Sequence, residues 1–167
     1  MKAVAVSDLH GVPLGGMRLK RILEQEKPDV LLILGDILAG GYGEEIVSAV
    51  KSFKGRTFAV RGNCDDGSEY LSLGLEDLPY NLRWSFAGHD VHLQHKPFYA
   101  LSFPAGDVLL FGHTHFKCLY KENGVIYANP GSLSLPRDEC ASYAVFENGQ
   151  ITLKHGDDGS IISALQL

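Results

Sequence analysis

Near its N-terminus the chain alternates short apolar runs with amphipathic segments, and this alternation restricts the possible folds more than any other feature. Residues 4–6, 30–34 and 57–60 are apolar runs with the length of buried strands. Between them, residues 17–26 and 44–53 place apolar side chains at the spacing of a helix. The pattern is βαβαβ, in which crossover helices connect parallel strands. We therefore predict an α/β fold that begins with a parallel sheet.

The C-terminal half has a different pattern, for which we predict antiparallel strands. Asn123-Gly124 and Asn148-Gly149 each separate two strand-length runs, which is typical of β-hairpins. Residues 68–79 fit either a helix or an ordered loop. The remaining predicted strands are residues 84–86, 90–94, 108–111, 118–120, 125–127, 142–146 and 150–154. The expected fold is two mixed β-sheets packed as a sandwich flanked by helices, in a single domain over residues 1–167.

Composition excludes several classes of protein. The 45% of apolar and 21% of charged residues are ordinary for a soluble globular protein. A net charge of -5 argues against a nucleic-acid partner, because such affinity comes mainly from neutralising phosphates. No apolar stretch approaches the roughly 20 residues that a membrane-spanning helix needs, and the first residues do not resemble a secretory signal. Three cysteines without paired spacing indicate reduced thiols, so we expect a cytoplasmic protein, as a monomer or a homo-oligomer.

Side chains able to bind a metal follow five of the predicted strands. They are Asp8, His10, Asp36, Asn63, His95, His113 and His115. Because ligands of open α/β sheets bind where the carboxyl ends of strands meet, these seven side chains are expected to converge in one crevice. Two carboxylates, one amide oxygen and four imidazoles suit Mn, Fe, Zn or Ni. Seven ligands exceed the needs of one tetrahedral site but match two metals that share a carboxylate, so we predict a binuclear centre.

Simpler interpretations compete with the metal site at some of these positions. His113 and His115 could be a pair of hydrogen-bonded loop imidazoles. Asp36 could cap the helix predicted from residue 44, although a buried carboxylate after an apolar run requires a metal or a cation. Cys64 is either a small packing residue, which we favour, or a reactive thiol beside the metals. Asn129-Pro130-Gly131-Ser132 is predicted to form a turn.

The candidate ligands belong to five short motifs that follow one another along the chain. They are Asp8-Leu9-His10-Gly11, Gly35-Asp36, Gly62-Asn63-Cys64-Asp65, His95 and Gly112-His113-Thr114-His115. From residue 3 to about residue 132 the chain resembles the calcineurin-like metallophosphoesterases, in particular their small YfcE-like phosphodiesterases. The resemblance implies hydrolysis of a phosphodiester by attack of a hydroxide that bridges two divalent metal ions, with Mn as the first candidate. It also implies that a segment such as that ending in Ser132 lies near the metal centre.

The resemblance also implies a role for each motif residue. Asp8, His10, Asp36 and His115 would hold the first metal, and Asp36, Asn63, His95 and His113 the second, with Asp36 bridging. Asn63, His113 and Asp36 would be catalytic, and Asn63 would contact the phosphoryl oxygen. Asp65 would orient an imidazole, with His10 as the candidate.

Two positions depart from the family pattern. Cys64 stands where a histidine often follows the asparagine in phosphomonoesterases, so a general acid is missing beside the substrate. This favours phosphodiesters with good leaving groups. Lys96 follows His95 where the family usually has glycine, and it could bind substrate phosphate or crowd the pocket. The alternative functions are a phosphomonoesterase or nucleotide phosphatase, and a non-catalytic scaffold like the retromer subunit of this fold.

Overall fold

The computed structural model describes residues 1–39, 41, 43–97 and 102–167. Three helices lie in this part of the chain, namely α1 (Pro13–Glu26), α2 (Glu44–Ser52) and α3 (Glu69–Leu73). The strands that it describes are β1 (Ala3–Val6), β2 (Val30–Ile33), β3 (Arg56–Ala59), β4 (Asn81–Phe86), β5 (His89–Gln94), β6 (Val108–Phe111), β7 (Lys117–Glu122), β8 (Val125–Pro130), β9 (Ser142–Glu147), β10 (Gln150–His155) and β11 (Ile161–Gln166). Among the described residues, no helix combines the length and the apolar character that crossing a membrane would require.

The strands form two mixed sheets, which confirms the predicted fold class. The six-stranded sheet has the order β11-β10-β9-β1-β2-β3, and the five-stranded sheet has the order β4-β5-β6-β8-β7. Strands β1, β2 and β3 are parallel, as the βαβαβ pattern predicts. In the second sheet β6 pairs in parallel with both β5 and β8. The prediction of an antiparallel C-terminal half is therefore wrong for the pairing of β8 with β6, although the hairpins at Asn123-Gly124 and Asn148-Gly149 are confirmed.

Two apolar layers hold these elements together. Between the sheets, the ring of Trp84 stacks on Phe86 at a centroid distance of 5.6 Å and meets Phe146 edge-on at 5.8 Å. The second layer lies between the other face of the six-stranded sheet and the three helices, where Leu19 of α1 and Ile46 of α2 are buried. Every residue of β1 and β2 is buried, because both faces of these strands are covered.

Helix α1 begins earlier than the sequence pattern predicts. It starts at Pro13 rather than at residue 17, and Gly15 and Gly16 lie in its first turns. Because glycine is a poor helix former, the sequence pattern did not indicate this part of the helix. A Cβ at Gly16 would collide with the backbone of Glu45 and Ile46 in α2. The glycine therefore allows the two helices to approach each other closely.

Candidate metal centre

The seven predicted ligands lie at the carboxyl ends of strands from both sheets. Asp8, Asp36 and Asn63 follow β1, β2 and β3 of the six-stranded sheet, whereas His95 follows β5 and the segment with His113 and His115 follows β6. Asp36 lies beside side chains from both sheets, because its Oδ2 lies 3.4 Å from Nε2 of His95, which follows β5, and 3.7 Å from Nε2 of His10, which follows β1.

Asp8, His10 and His115 form the first group. His115 Nε2 lies 3.2 Å from Asp8 Oδ1 and 3.2 Å from His10 Nε2. The potential ligand atoms of these three residues all lie within 4.8 Å of one another. Asp8 is fully buried, and its Oδ1 has no hydrogen-bond partner among the described residues. These three side chains therefore converge as the sequence predicts.

Asp36, His95 and Asn63 form the second group. Asn63 Oδ1 lies 3.1 Å from His95 Nε2, on the side of the imidazole that also faces Asp36. Ligand atoms of Asp8, Asp36 and His95 also lie within 4.8 Å of one another. Asp36 is 2% exposed and does not cap α2, which has Gly43 at its N-cap position. The alternative reading of Asp36 as a helix cap is thus wrong.

His113 contributes differently from the other histidines. Its backbone N–H donates to Asp8 Oδ2 at 3.0 Å, and its ring lies 5.1 Å from the ring of His95. Among the described residues, it belongs to none of the groups whose ligand atoms lie within 4.8 Å of one another. His113 therefore borders the second group through its contact with the His95 ring, whereas His115 lies next to the His10 ring.

The donor atoms fit divalent cations. His115 Nδ1 lies 2.6 Å from the Leu135 carbonyl and His95 Nδ1 lies 2.7 Å from the Leu34 carbonyl. A carbonyl only accepts, so each Nδ1 donates its proton to the carbonyl, and a neutral imidazole in this orientation would turn the lone pair of Nε2 towards a carboxylate oxygen. Two acceptors at such distances repel each other unless a positive charge lies between them. A divalent cation held by these residues would supply that charge.

The pKa shifts of Asp36, His95 and His10 also indicate that positive charge is favoured at this centre. Burial raises the pKa of Asp36, but contact with the His95 imidazole and the Cys64 N–H outweighs burial and holds the pKa below its usual range. Burial lowers the pKa of His95, but Asp36 and the Leu34 carbonyl raise it above its ordinary value. The nearby Asp8 carboxylate, whose Oδ1 lies 3.8 Å from His10 Nε2, is the main reason that the pKa of His10 is raised. In contrast, burial, His95 and Lys96 lower the pKa of His113.

Three further residues named from the sequence lie beside this centre. Cys64 is exposed, and its Sγ lies within 4.8 Å of ligand atoms of His10 and Asp36, so the reading of a packing residue is wrong. Burial and the charge of Asp36 raise the pKa of its thiol. Lys96 is exposed directly after His95.

Asp65 supports the centre through the backbone rather than through an imidazole. Its Oδ1 accepts from the Ile37 N–H and its Oδ2 from the Gly62 N–H, each at 2.7 Å. The expected contact with the His10 ring is thus replaced by bonds to the segments around Asp36 and Asn63. The spacing of the motif does not reveal this, because Ile37 is 28 residues away along the chain.

Comparisons with known proteins agree with this geometry. The profile of the calcineurin-like phosphoesterase superfamily domain matches residues 1–150. This chain belongs to that superfamily. It is accordingly a phosphoric ester hydrolase, and the match extends beyond residue 132, where the recognisable motifs end.

Individual relatives match this chain over most or all of its length. Phosphodiesterase YfcE of Escherichia coli K12 is 28% identical, with 100% of this chain and 98% of the relative covered. A solved structure of YfcE, described as a phosphoesterase from E. coli, has a TM-score of 0.90 at 27% identity and 99% coverage of both chains. A probable metallophosphoesterase of Mycoplasma genitalium, MG207, is 31% identical over 87% of this chain and 86% of its own. Vps29 of Entamoeba histolytica in complex with zinc shares the fold, with a TM-score of 0.70 at 18% identity and coverage of 100% of this chain and 98% of that one.

Proposed function

We propose that this chain is a phosphodiesterase that depends on two divalent cations. The observation that carries the proposal is the position of Asp36, whose buried Oδ2 lies between an imidazole of the first group and an imidazole of the second. A carboxylate in this position is suited to bind two cations at once. Asp8, His10, Asp36 and His115 would hold one cation, and Asp36, Asn63, His95 and His113 would hold the other. When bound, such a pair activates a water molecule as the nucleophile and neutralises the phosphate oxygens.

The residues of the chain would bind and orient the substrate around this pair. Asn63 is exposed and carries an amide that donates to Cys64 Sγ at 3.2 Å, so it is accessible to a phosphoryl oxygen. Lys96 is exposed next to His95, and its positive charge influences His113. These observations support a role for Lys96 in binding substrate phosphate rather than in blocking the pocket. We propose Asn63, His113 and Asp36 as the catalytic residues.

The preference for a diester is supported by the position of Cys64. This residue is exposed at the point where a histidine could protonate a poor leaving group, and a thiol is a weaker acid catalyst for that purpose. The similarity to phosphodiesterase YfcE over the full chain supports the same substrate class. A phosphomonoesterase is the second candidate, and the retained ligand groups argue against a scaffold without catalytic activity.

Other features of the proposal concern the protein as a whole. We propose that residues 1–167 form one domain, because the last strand, β11, pairs with β10 in the same sheet as β1. The three cysteines are free thiols, which supports a cytoplasmic location. Mn²⁺ is the first candidate cation, while Ni²⁺, Zn²⁺ and Fe²⁺ accept the same donor set. The substrate would be a small phosphodiester, and the chain could act as a monomer or a homo-oligomer.

Hydrolysis of bis-p-nitrophenyl phosphate by metal-stripped protein tests this function. We expect no activity until Mn²⁺ is added, and much slower release from p-nitrophenyl phosphate under the same conditions. Asp36→Asn should lower the turnover by more than about 100-fold, the upper range for outer partners of a metal ligand, while the circular dichroism spectrum is unchanged.

Asp66→Asn is the matched control, because Asp66 is exposed and lies in the same segment as Asp65. It should retain full turnover. Faster cleavage of the monoester would favour the phosphomonoesterase, and inactivity with every candidate metal would favour the scaffold. Normal turnover of Asp36→Asn would refute the shared carboxylate.

A further inference from the structure

A buried segment that contains no predicted ligand passes directly beside the first group. Asn129 and Pro130 complete β8, so the turn predicted at residues 129–132 is wrong, and the chain bends at residues 133–135, after Gly131, which has a φ of 76°. Ser132 follows and is fully buried. Its Oγ donates to the Asp8 carbonyl at 2.7 Å and accepts from the Leu135 N–H at 2.8 Å. One hydroxyl thus joins the backbone of Asp8 to the backbone of Leu135.

The Leu135 carbonyl in turn orients the His115 imidazole of the first group. It accepts from His115 Nδ1–H at 2.6 Å, which directs His115 Nε2 towards Asp8 Oδ1. The Leu133 N–H adds a bond to the Ser7 carbonyl at 3.2 Å. Asp8 and His115 are 107 residues apart in the sequence, and Ser132 lies between the backbone contacts that set their relative position.

We propose that Ser132 is a positioning residue for the cation held by Asp8, His10 and His115, and not for the second cation. This inference rests on the proposed function, because it concerns the cations of that site. Asp8 needs such support, since its φ of 55° lies in a region that residues other than glycine seldom adopt unless their surroundings hold them there.

The second group takes its orientation from another part of the fold. His95 Nδ1–H donates to the carbonyl of Leu34, directly after β2, and Asp36 Oδ1 accepts from the Cys64 N–H at 2.8 Å. Both contacts involve segments after β2 and β3 rather than the segment around Ser132. Loss of the Ser132 hydroxyl should therefore affect the two cation sites unequally.

Calorimetric titration of metal-stripped protein with Mn²⁺ tests the proposal in two backgrounds. His95→Ala removes a ligand of the second site, and His115→Ala removes a ligand of the first. In the His95→Ala background, Ser132→Ala should lower the remaining Mn²⁺ affinity by about 10-fold or more, the usual effect of losing a group that orients a metal ligand. In the His115→Ala background, the same change should leave the affinity within about 2-fold, because independent sites are additive.

Ser134→Ala is the matched control. Ser134 is buried two residues further along, and its Oγ has no hydrogen-bond partner in the part of the chain that the structure describes. It should leave Mn²⁺ binding unchanged in both backgrounds. If Ser132→Ala does not fold, Ser132→Cys replaces it with the same expectation, because a thiol of similar size is a weaker donor.

The outcomes separate this proposal from the proposed function. If the wild-type protein binds no Mn²⁺, the proposed function is wrong and this proposal falls with it. If the wild-type protein binds two equivalents but Ser132→Ala changes neither affinity, or weakens both sites equally, only the role of Ser132 is refuted. An effect of Ser134→Ala as large as that of Ser132→Ala would also refute it, since loss of packing would then explain both.

Discussion

Five of the seven side chains at the metal centre lie on left-handed backbone. Asp8, His10, Asp36, His113 and His115 have φ values between 49° and 66°. For residues with a Cβ this conformation costs roughly 1–2 kcal/mol each, and such costs concentrate at functional sites. The strain is offset by bonds such as those of the His10 N–H to the Asp36 carbonyl at 2.8 Å and of the Gly11 N–H to the Ile37 carbonyl at 2.9 Å. The centre is therefore held in shape partly by backbone contacts that do not involve its ligand atoms.

At His10, glycine should be tolerated better than alanine. In metal-free protein, we expect His10→Gly to have a free energy of unfolding about 0.5–1 kcal/mol higher than His10→Ala, because only glycine adopts this φ without a steric cost. Urea denaturation measures the difference. At Lys20, which is exposed within α1, the order should reverse. There we expect the glycine variant to have a free energy of unfolding about 1 kcal/mol lower than the alanine variant. Equal stability of the two His10 variants would contradict the strain.

Between elements, one buried carboxylate connects α1 to the six-stranded sheet. Glu26, at the end of α1, lies 2.5 Å from Lys2 Nζ and 2.6 Å from Lys154 Nζ, and Tyr143 donates to it at 2.8 Å. Its side chain is 8% exposed. Burial raises the pKa of Glu26, but the contacts with Lys154, Lys2 and Tyr143 outweigh burial and lower it to about 2. The ionised carboxylate is thus strongly favoured in the folded protein.

This contact should make the stability sensitive to acid. Because the pKa of Glu26 is lower in the folded than in the unfolded chain, its stabilisation is complete above about pH 4.5 and is lost as the pH falls towards about 2. We expect the wild-type protein to lose about 2–3 kcal/mol more than Glu26→Gln between these pH values. Urea denaturation at several pH values measures this. Glu24→Gln, at an exposed position of the same helix, should behave like the wild type, and parallel pH profiles of wild type and Glu26→Gln would contradict the prediction.

Across the whole molecule, the metal centre joins the two sheets of the sandwich. Asp8 and Asp36 come from the six-stranded sheet, whereas His95 and His115 come from loops after strands of the five-stranded sheet. Cations that bind both sets add a connection that the apolar layer between the sheets does not provide. The unfolded chain lacks this arrangement, so cations should bind the folded state far more tightly.

Removal of metal should therefore lower the melting temperature. With Mn²⁺ at about 100 times its dissociation constant, one site adds about 2.7 kcal/mol, which raises the melting temperature by roughly 5–10 °C in a domain of this size. Trp84 is the single tryptophan of the chain and lies in the layer between the sheets, so its fluorescence reports the transition. EDTA should reverse the shift. A similar rise for Asp36→Asn would show that Mn²⁺ stabilises the protein at another place.

Much of the fold and of the centre is encoded locally. The apolar runs of β1 and β2 and the helical spacing of α2 are visible in the sequence, because strands covered on both faces need continuous apolar residues. The hairpin turns are equally local, since Asn123 and Asn148 have φ values of 50° and 52° next to a glycine. Asp8, Asp36 and His95 could be placed together because each follows a strand end, where loops of such sheets converge.

Only the tertiary structure decided which groups meet at long range. Apolar runs look alike in parallel and antiparallel sheets, so the parallel pairing of β6 with β5 and β8 could not be deduced from them. Strand β11 carries mostly partly exposed and exposed residues, so its apolar pattern is weak. The partners of Asp65 and Ser132 are backbone groups, which every residue carries and no side-chain motif marks. The sequence by itself therefore determined the candidate ligands and the βαβαβ start, whereas the backbone contacts that hold these side chains in place depended on which segments pack side by side.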